Sequence, residues 1–240
     1  MIRGIILAAG RGTRINKITK KSHKALIKIN GKSLIEQIIR NFIKNKITKI
    51  SIVTGYNNSL FKEFNLKNFN NKYWKETNMV FSLMQADSWL SKYPCIISYS
   101  DIFYEKQALK CLKKTKSSFA ILNNINWKKN WQSRYKKPLL DAESFKIDKK
   151  SYLIEIGKKE KKIKNIEGQY MGLIKITPRI WKIMKKKIPS IKKKNRISCT
   201  ELLNDLLNKG IKIKSIPYKH KWYEVDNIRD LKFMQKTIND

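Results

Sequence analysis

The chain has 240 residues, of which 41% are apolar and 10% aromatic, so we expect one large folded domain and no extensive disorder. No apolar run approaches the roughly 20 residues of a membrane span, and no signal peptide is evident, so we predict a cytoplasmic protein. A net charge of +36 is in the range typical of proteins that bind nucleic acid. The lysines are spread along the whole chain without an arginine-rich arm, and we therefore predict no specific nucleic-acid binding. The three cysteines are too widely spaced for a disulfide framework or a zinc site.

The first predicted element is a buried apolar strand over residues 4–9, which runs into the glycine turn Gly10-Arg11-Gly12-Thr13-Arg14. Glycine lets a ligand approach the backbone closely, and successive N–H groups in such a turn form an anion site. Arg11 and Arg14 add guanidinium groups that suit phosphate oxygens. The spacing is not that of the dinucleotide fingerprint or the P-loop. We predict a phosphate-binding turn, with a purely structural turn as the alternative.

The longer string Leu7-Ala8-Ala9-Gly10-Arg11-Gly12-Thr13-Arg14 resembles the signature of nucleotidyltransferases, which join a nucleoside triphosphate to a phosphorylated metabolite. The resemblance implies that these eight residues bind the nucleotide and that Arg14 is catalytic. Downstream, His23-Lys24-Ala25-Leu26 is similar to the P-K-A-L string of the same family, with His23 where proline is usual. The resemblance assigns Lys24 to the phosphates, as a nucleotide-binding and catalytic residue. An ordinary surface lysine is the alternative.

Strands and helices then alternate along the chain. Residues 26–29 predict a short strand, Asn30-Gly31 a tight turn, and Ser33 the start of a helix with apolar residues at helical spacing. Residues 49–54 predict the next strand, and Gly55-Tyr56 after it resembles a nucleotide-binding pattern of the family. Such alternation indicates a mostly parallel sheet, whose ligands bind beyond the carboxyl ends of its strands.

Residues 77–83 predict the start of an amphipathic helix that is capped by Thr77 or Asn78 and continues to Trp89. Asn78 and Ser82 are four residues apart and can share one helical face. The same string resembles a helix of phosphocholine cytidylyltransferases that lines their nucleotide and acceptor pocket. The resemblance implies that Thr77, Asn78 and Ser82 contact the nucleotide.

Two acidic residues far apart in the chain are candidate metal ligands. Asp101 ends the strand predicted over residues 95–100, where a carboxylate suits Mg²⁺, although a cap or turn residue is the alternative. Residues 222–231 resemble the W-x-E-I/V-D-x-x-x-D-L ending of the family, whose first aspartate is Asp226 here. The resemblance implies that Asp101 and Asp226 together bind Mg²⁺ and are catalytic. Glu224 alternates with Asp226, and we expect it to contact the acceptor.

Residues 124–169 interrupt the alternation and predict a small β-rich insertion, which the resemblance implies holds the acceptor, within a single domain of residues 1–240. Its aromatic residues could cage a quaternary amine, whereas its basic residues would suit carboxylates. The strand that follows is similar to the acceptor-side strand of the family. Further acceptor candidates are therefore Ser100, Glu167, Gln169 and Tyr170.

Two further helices, beginning at Thr177-Pro178 and Thr200, and a strand over residues 211–216 follow. The fold that this order and the resemblance imply is α/β: a Rossmann-like three-layer nucleotidyltransferase fold with a mostly parallel central sheet. The chain resembles the cytidylyltransferase branch more than the larger sugar enzymes in its short length, its helix over residues 78–83 and its ending over residues 222–231.

The resemblance implies CMP transfer from CTP to a small phosphorylated acceptor, with Mg²⁺ as cofactor and pyrophosphate as the second product. Residues 76–84 and 98–102 are most similar to CTP:phosphoglutamine cytidylyltransferases of capsule phosphoramidate synthesis, which favours L-glutamine phosphate as the acceptor. Phosphocholine or 2-aminoethylphosphonate is the second choice, and a sugar 1-phosphate the third. A homodimer is left open. The alternative from another class is a basic nucleic-acid or anionic-surface binder that uses this fold.

Overall fold

The computed structural model is built around a seven-stranded sheet. The structure describes residues 1–15, 19, 22–188 and 195–239, and for residue 239 it describes the backbone alone. In chain order the strands are β1 (Arg3–Ala8), β2 (Lys28–Ile29), β3 (Lys32–Ser33), β4 (Ile50–Thr54), β5 (Lys67–Asn70), β6 (Cys95–Tyr99), β7 (Ile102–Tyr104), β8 (Phe119–Asn124), β9 (Glu143–Ile147), β10 (Leu153–Lys159), β11 (Gln169–Ile176), β12 (Lys214–Tyr218) and β13 (Trp222–Glu224). The helices are α1 (Leu34–Lys44), α2 (Met79–Met84), α3 (Asp87–Leu90), α4 (Gln107–Lys114), α5 (Trp127–Arg134), α6 (Pro178–Lys187), α7 (Cys199–Asn208) and α8 (Ile228–Asn239).

The strand order of the main sheet is β12-β8-β11-β6-β1-β4-β5. The pairs β6-β1, β1-β4, β4-β5 and β12-β8 are parallel, and β11 runs antiparallel to both of its neighbours. One reversed strand among seven confirms the prediction of a mostly parallel sheet. The adjacent parallel strands β6, β1 and β4 therefore end at the same edge.

Helices cover both faces of the sheet, which gives the predicted three layers. On one face, Gly4 of β1 faces α1, where a Cβ on Gly4 would lie 2.9 Å from the Phe42 ring. Leu7 points to the opposite face, since side chains alternate along a strand, and lines one cleft with Met79 of α2. Helix α1 begins where it was predicted, because Ser33 and Glu36 form a reciprocal capping box.

Several local predictions need correction. The helix predicted from residue 77 to Trp89 is divided, with α2 ending at Met84 and α3 covering Asp87–Leu90. Asn78 precedes α2 without a side-chain cap bond, and its side-chain amide donates to Arg196 O at 2.6 Å. The edge strand β5 was not predicted. Its residues are mostly exposed and therefore carry no apolar alternation.

The segment between β8 and β11, predicted to be β-rich, contains one antiparallel pair, β9 and β10. It also contains α5 and two 3-10 turns, Pro138–Leu140 and Ile163–Asn165. Helix α5 was not predicted, although Trp127 and Trp131 have helical i, i+4 spacing and are both buried. No helix within the described ranges is long and apolar enough for a bilayer crossing.

Candidate active site

Asp101 and Asp226 are brought together by a short antiparallel pairing beyond the main sheet. Asp101 follows β6 at the edge where β1 ends in the glycine turn. Strand β13 pairs with β7 so that Glu224 lies opposite Ile102, and the next residue, Val225, donates its N–H to Asp101 O at 3.0 Å. This register places Asp226 beside Asp101, although 125 positions separate the two residues in the sequence.

A buried lysine joins the two carboxylates. Lys24 Nζ lies 2.7 Å from Asp101 Oδ2 and 2.7 Å from Asp226 Oδ1. Arg14, on the 3-10 turn Thr13–Ile15, donates through Nη1 to Asp226 Oδ2 at 3.1 Å, with its side chain 71% exposed. All four residues predicted to be catalytic therefore form one cluster at the carboxyl edge of the sheet, namely Arg14, Lys24, Asp101 and Asp226.

Burial and charge act in opposite directions on the ionisable groups of this cluster. Burial would lower the pKa of Lys24, but the neighbouring Asp101 and Asp226 outweigh it and hold that pKa above its ordinary value. Burial would raise the pKa of Asp226, and Lys24 reverses this effect. Burial, reinforced by the charges of Asp226 and Asp101, raises the pKa of Glu224 to about 8. Lys24 is thus a permanent cation at neutral pH.

Local backbone geometry fixes Lys24. It begins the 3-10 turn Lys24–Leu26, which His23 caps by accepting the Ala25 N–H at its Nδ1, 3.1 Å away. Burial lowers the pKa of His23 to about 4, so the ring is neutral and free to accept this bond. Gly12 has a φ of +67°, and a Cβ there would lie 3.1 Å from Lys24 Cβ. Glycine is needed at this position for both its φ and the close approach of Lys24.

The cluster fits a hard divalent cation. The carboxylate oxygens of Asp101, Glu224 and Asp226 lie within 4.8 Å of one another, and Lys24 shows that two of these groups converge on a single positive centre. Magnesium has oxygen ligands at about 2.0–2.1 Å, so opposite ligands are up to ~4.2 Å apart. A small contraction would bring the three residues to that spacing. Glu224, predicted as an acceptor contact, is also a possible third ligand.

We name the cleft beside the glycine turn the turn cleft. It has a volume of about 280 Å³, and Lys24 and Asp101 lie in its wall. The other predicted residues that line it are Leu7, Ala9, Gly10, Gly12, Thr13, Arg14, Thr77, Asn78, Ser82, Ser100 and Asp226. Lining residues that were not predicted as site residues are His23, Trp74, Met79 and Tyr99.

Four residues predicted to bind the nucleotide lie behind the turn cleft rather than in its wall. Ala8 is buried within β1, and Gly55 packs on Trp74 and Ala9. Tyr56 donates its N–H to Ala9 O at 3.1 Å, and the Arg11 guanidinium lies 5.5 Å from the Tyr56 ring. Gly55 and Tyr56, which follow β4, therefore support the backbone just before the glycine turn.

Two hydroxyl groups in the turn cleft have structural partners. Asn71 donates through its side-chain amide to Thr77 Oγ1 and to Ser82 Oγ, both at 3.0 Å. Thr77 Oγ1 also donates to Tyr73 O at 2.7 Å. The loop before α2 is therefore held to α2 by its own hydrogen bonds.

A second cleft, which we name the insertion cleft, has a volume of about 310 Å³ and lies between the insertion and the metal-site candidates. Arg14, Met79, Tyr99 and Asp226 line both clefts, which are therefore adjacent. Of the predicted acceptor contacts, the insertion cleft includes Gln169, Tyr170 and Glu224, whereas Ser100 lines the turn cleft.

Glu167 and Gln169 are engaged within the protein. Glu167 lines neither cleft, and its Oε2 accepts the Ile147 N–H at 2.7 Å. The Gln169 amide donates to Glu143 O at 2.6 Å and accepts from Glu143 N at 3.3 Å. Both side chains therefore hold the insertion to β11.

The insertion cleft is acidic and aromatic. Its described wall contains Arg14 as its one basic residue, although the chain has 54 lysines and arginines. Its acidic residues are Asp141, Glu143, Glu224 and Asp226. Trp131 and Trp222 are stacked in the same wall with ring centroids 5.8 Å apart. Of the two acceptor chemistries that the sequence left open, this wall favours a cationic group.

Comparison with known proteins identifies the family. The model of the MobA-like NTP transferase domain matches residues 4–117. The chain is 31% identical to the CTP:phosphoglutamine cytidylyltransferase of Campylobacter jejuni subsp. jejuni, over 96% of this chain and 98% of that protein. The chain belongs to the nucleotidyltransferases, in their cytidylyltransferase branch. The resemblance drawn from its motifs is thereby confirmed.

The chain is also similar to a second cytidylyltransferase over part of its length and to a solved structure in its fold. The choline-phosphate cytidylyltransferase of Haemophilus influenzae is 30% identical to this enzyme over 42% of the chain and 44% of that protein. The solved structure of the CTP:phosphocholine cytidylyltransferase from Streptococcus pneumoniae has a TM-score of 0.75 and 16% identity, and the match covers 99% of each chain. That similarity confirms the predicted fold.

Proposed function

We propose that this enzyme transfers CMP from CTP to a small phosphorylated acceptor, L-glutamine phosphate in our assignment, and releases pyrophosphate. The observation that carries the proposal is the convergence of Asp101, Asp226 and Lys24 beside the glycine turn, with a second cleft opening on the same acids. A triphosphate in the turn cleft and an acceptor in the insertion cleft would meet at this cluster.

In this proposal the glycine turn, Arg14 and Lys24 hold the phosphates that leave. The turn offers backbone N–H groups, and the two cations neutralise the charge that accumulates on pyrophosphate. Asp101 and Asp226, with Glu224 beside them, would hold Mg²⁺. A bound Mg²⁺ would supply charge neutralisation at the α-phosphate and the attacking oxygen.

The reaction we propose is an in-line displacement at the α-phosphorus. An anionic oxygen of the acceptor phosphate forms a new bond to that phosphorus, and the bond to the β-phosphate oxygen breaks with its electron pair leaving on pyrophosphate. Because the attacking oxygen is already anionic, no general base is required. Rate enhancement then depends on placing the two clefts' ligands in line and on the cations around them.

The wall of the insertion cleft supports an acceptor with a cationic nitrogen, and the relative that is 31% identical favours L-glutamine phosphate among such acceptors. L-glutamine phosphate, phosphocholine and 2-aminoethylphosphonate each carry a cationic nitrogen. Asp141 and Glu143 offer counter-charges for such a group, and the buried, stacked rings of Trp131 and Trp222 form part of the same wall. A sugar 1-phosphate lacks this cation, and we therefore rank it last.

A pyrophosphate-release screen tests the proposal. CTP, UTP, ATP and GTP would each be combined with Mg²⁺ and with the four acceptors named above. We expect release with CTP and L-glutamine phosphate, and its loss in Asp101→Asn. Asp87→Asn, which changes a carboxylate remote from both clefts, is the matched control. Pyrophosphate release with phosphocholine as the one active acceptor would change the assigned acceptor to phosphocholine and leave the assigned reaction class unchanged.

The competing proposal is a basic protein that binds nucleic acid or an anionic surface. It expects tight, strongly salt-dependent binding to DNA or RNA and no pyrophosphate from any pair in the screen. That combined result would refute the transferase proposal. A cytoplasmic location and a homodimer remain predictions from the sequence.

A further inference from the structure

Helix α5 of the insertion carries an arginine that is buried against α8. Arg134 donates through Nε to Asp230 Oδ1 at 2.9 Å and through Nη2 to Asp230 Oδ2 at 3.1 Å. The two side chains are only 4% and 1% exposed. A bidentate, charge-assisted pair of this kind fixes both partners in orientation as well as in distance.

Asp230 in turn organises the turn that contains Asp226. Its Oδ2 accepts the backbone N–H of Asp226 at 2.9 Å and that of Asn227 at 3.1 Å. The Asp230 N–H donates back to Asn227 Oδ1 at 3.1 Å. The backbone of Asp226 is therefore held by a carboxylate whose own position depends on Arg134.

The same face of α5 forms part of the insertion cleft. The Arg134 guanidinium lies 5.0 Å from the ring of Trp131, which is stacked on Trp222 in the cleft wall. Asn130 donates to Trp222 O at 3.2 Å. One helix thus contacts the wall of the insertion cleft and, through Asp230, the turn of Asp226.

We infer that Arg134 is a positioning residue for the metal site: through Asp230 it sets the orientation of the Asp226 carboxylate. This inference rests on the proposed function, in which Asp226 is a metal ligand. Partners that orient a ligand from behind commonly change metal affinity 10- to 100-fold when they are lost. If the ion pair were purely structural, its loss would lower the stability of the protein and leave its metal affinity unaltered.

The test uses Arg134→Gln/Asp230→Asn, which removes both charges and retains hydrogen-bonding groups, so that no unpaired charge is buried. Arg134→Lys is the second variant, since it keeps the charge and cannot donate in the same bidentate way. Lys185→Gln/Asp87→Asn makes the same charge change in a half-exposed pair that lines neither cleft and is the matched control. Asp226→Asn is the reference for loss of the ligand itself.

The readout is the affinity for Mn²⁺, titrated by EPR with CTP present and corrected with protein-free CTP, alongside thermal unfolding. We expect the double variant to bind Mn²⁺ on the order of 10-fold more weakly, Arg134→Lys to lie between it and the wild type, and the control to be unchanged. Saturating Mn²⁺ should restore part of the lost kcat. If Asp226→Asn weakens Mn²⁺ binding but the folded Arg134 variants bind it as the wild type does, the positioning role is refuted alone. If Asp226→Asn itself leaves Mn²⁺ affinity unchanged, the assignment of Asp226 as a metal ligand is refuted, and the positioning role of Arg134 is refuted as well.

Discussion

Replacing Gly172 with alanine should destabilise the protein and disturb both clefts. Gly172 lies in β11, where the register with β8 shifts, and it has a φ of +73°. An L side chain in this backbone conformation costs about 1–2 kcal/mol. A Cβ there would also lie 2.8 Å from the Tyr99 ring, and overpacking of this kind costs about 1–3 kcal/mol. We therefore expect Gly172→Ala to lower the free energy of unfolding by about 2–5 kcal/mol.

Gly210 is the matched control, because its φ is +76° and nothing lies within 4 Å of the Cβ position. Gly210→Ala should lower the free energy of unfolding only through the strained backbone conformation. Alanine also reduces the conformational entropy of the unfolded chain, and this stabilising contribution is the same in both variants. Equilibrium urea denaturation measures the difference, which we expect to be about 1–3 kcal/mol. Since Tyr99 lines both clefts, Gly172→Ala should also raise KM. Equal destabilisation by the two substitutions would refute the contact with Tyr99 as the cause.

Three further predictions test single features. Asp101→Asn should lower kcat on the order of 10²–10³-fold in steady-state pyrophosphate release, as expected for loss of one electrostatic stabiliser. Ser33→Ala removes the cap of α1 and should cost about 1 kcal/mol in urea denaturation, whereas Ser33→Thr, which keeps the hydroxyl between Glu36 N and the Glu36 carboxylate, should cost less. His23 has a folded pKa of about 4 against an ordinary 6.5, so the unfolded chain takes up the proton first as pH falls. Stability should therefore drop by about 3 kcal/mol between pH 6.5 and 4, and His23→Asn, which can still cap the turn, should flatten this part of the pH profile of unfolding.

The parts of the fold that were predictable are those whose cause is local. The apolar run of β1, the glycine turn after it and the Ser33 cap of α1 each depend on residues within a few positions of one another. The meeting of Asp101 and Asp226 was expected only through family resemblance. Its physical cause is the pairing of β7 with β13, two three-residue strands that carry little pattern of their own.

The residues that escaped prediction have partners far away in the sequence. Arg134 is separated from Asp230 by 96 positions, and nothing near either residue distinguishes that arginine from the other basic residues. Glu143 lines the insertion cleft because β9 is held to β11 by the Gln169 amide. Contacts of this kind follow from the packing of the insertion, which local propensity does not determine.

The net charge of the chain and the charge of its insertion cleft have opposite signs for a physical reason. Exposed lysines act on a distant carboxylate through water and salt, which screen the interaction beyond about 8–10 Å. They cannot stabilise the acidic cluster of Asp101, Glu224 and Asp226, in which one carboxyl oxygen of each residue lies within 4.8 Å of the others. That task falls to Lys24, which is buried and 2.7 Å from two of them, and to Arg14 at the rim. The composition of the surface therefore gives no guide to the acceptor, whereas the four acids and stacked tryptophans of the insertion cleft do.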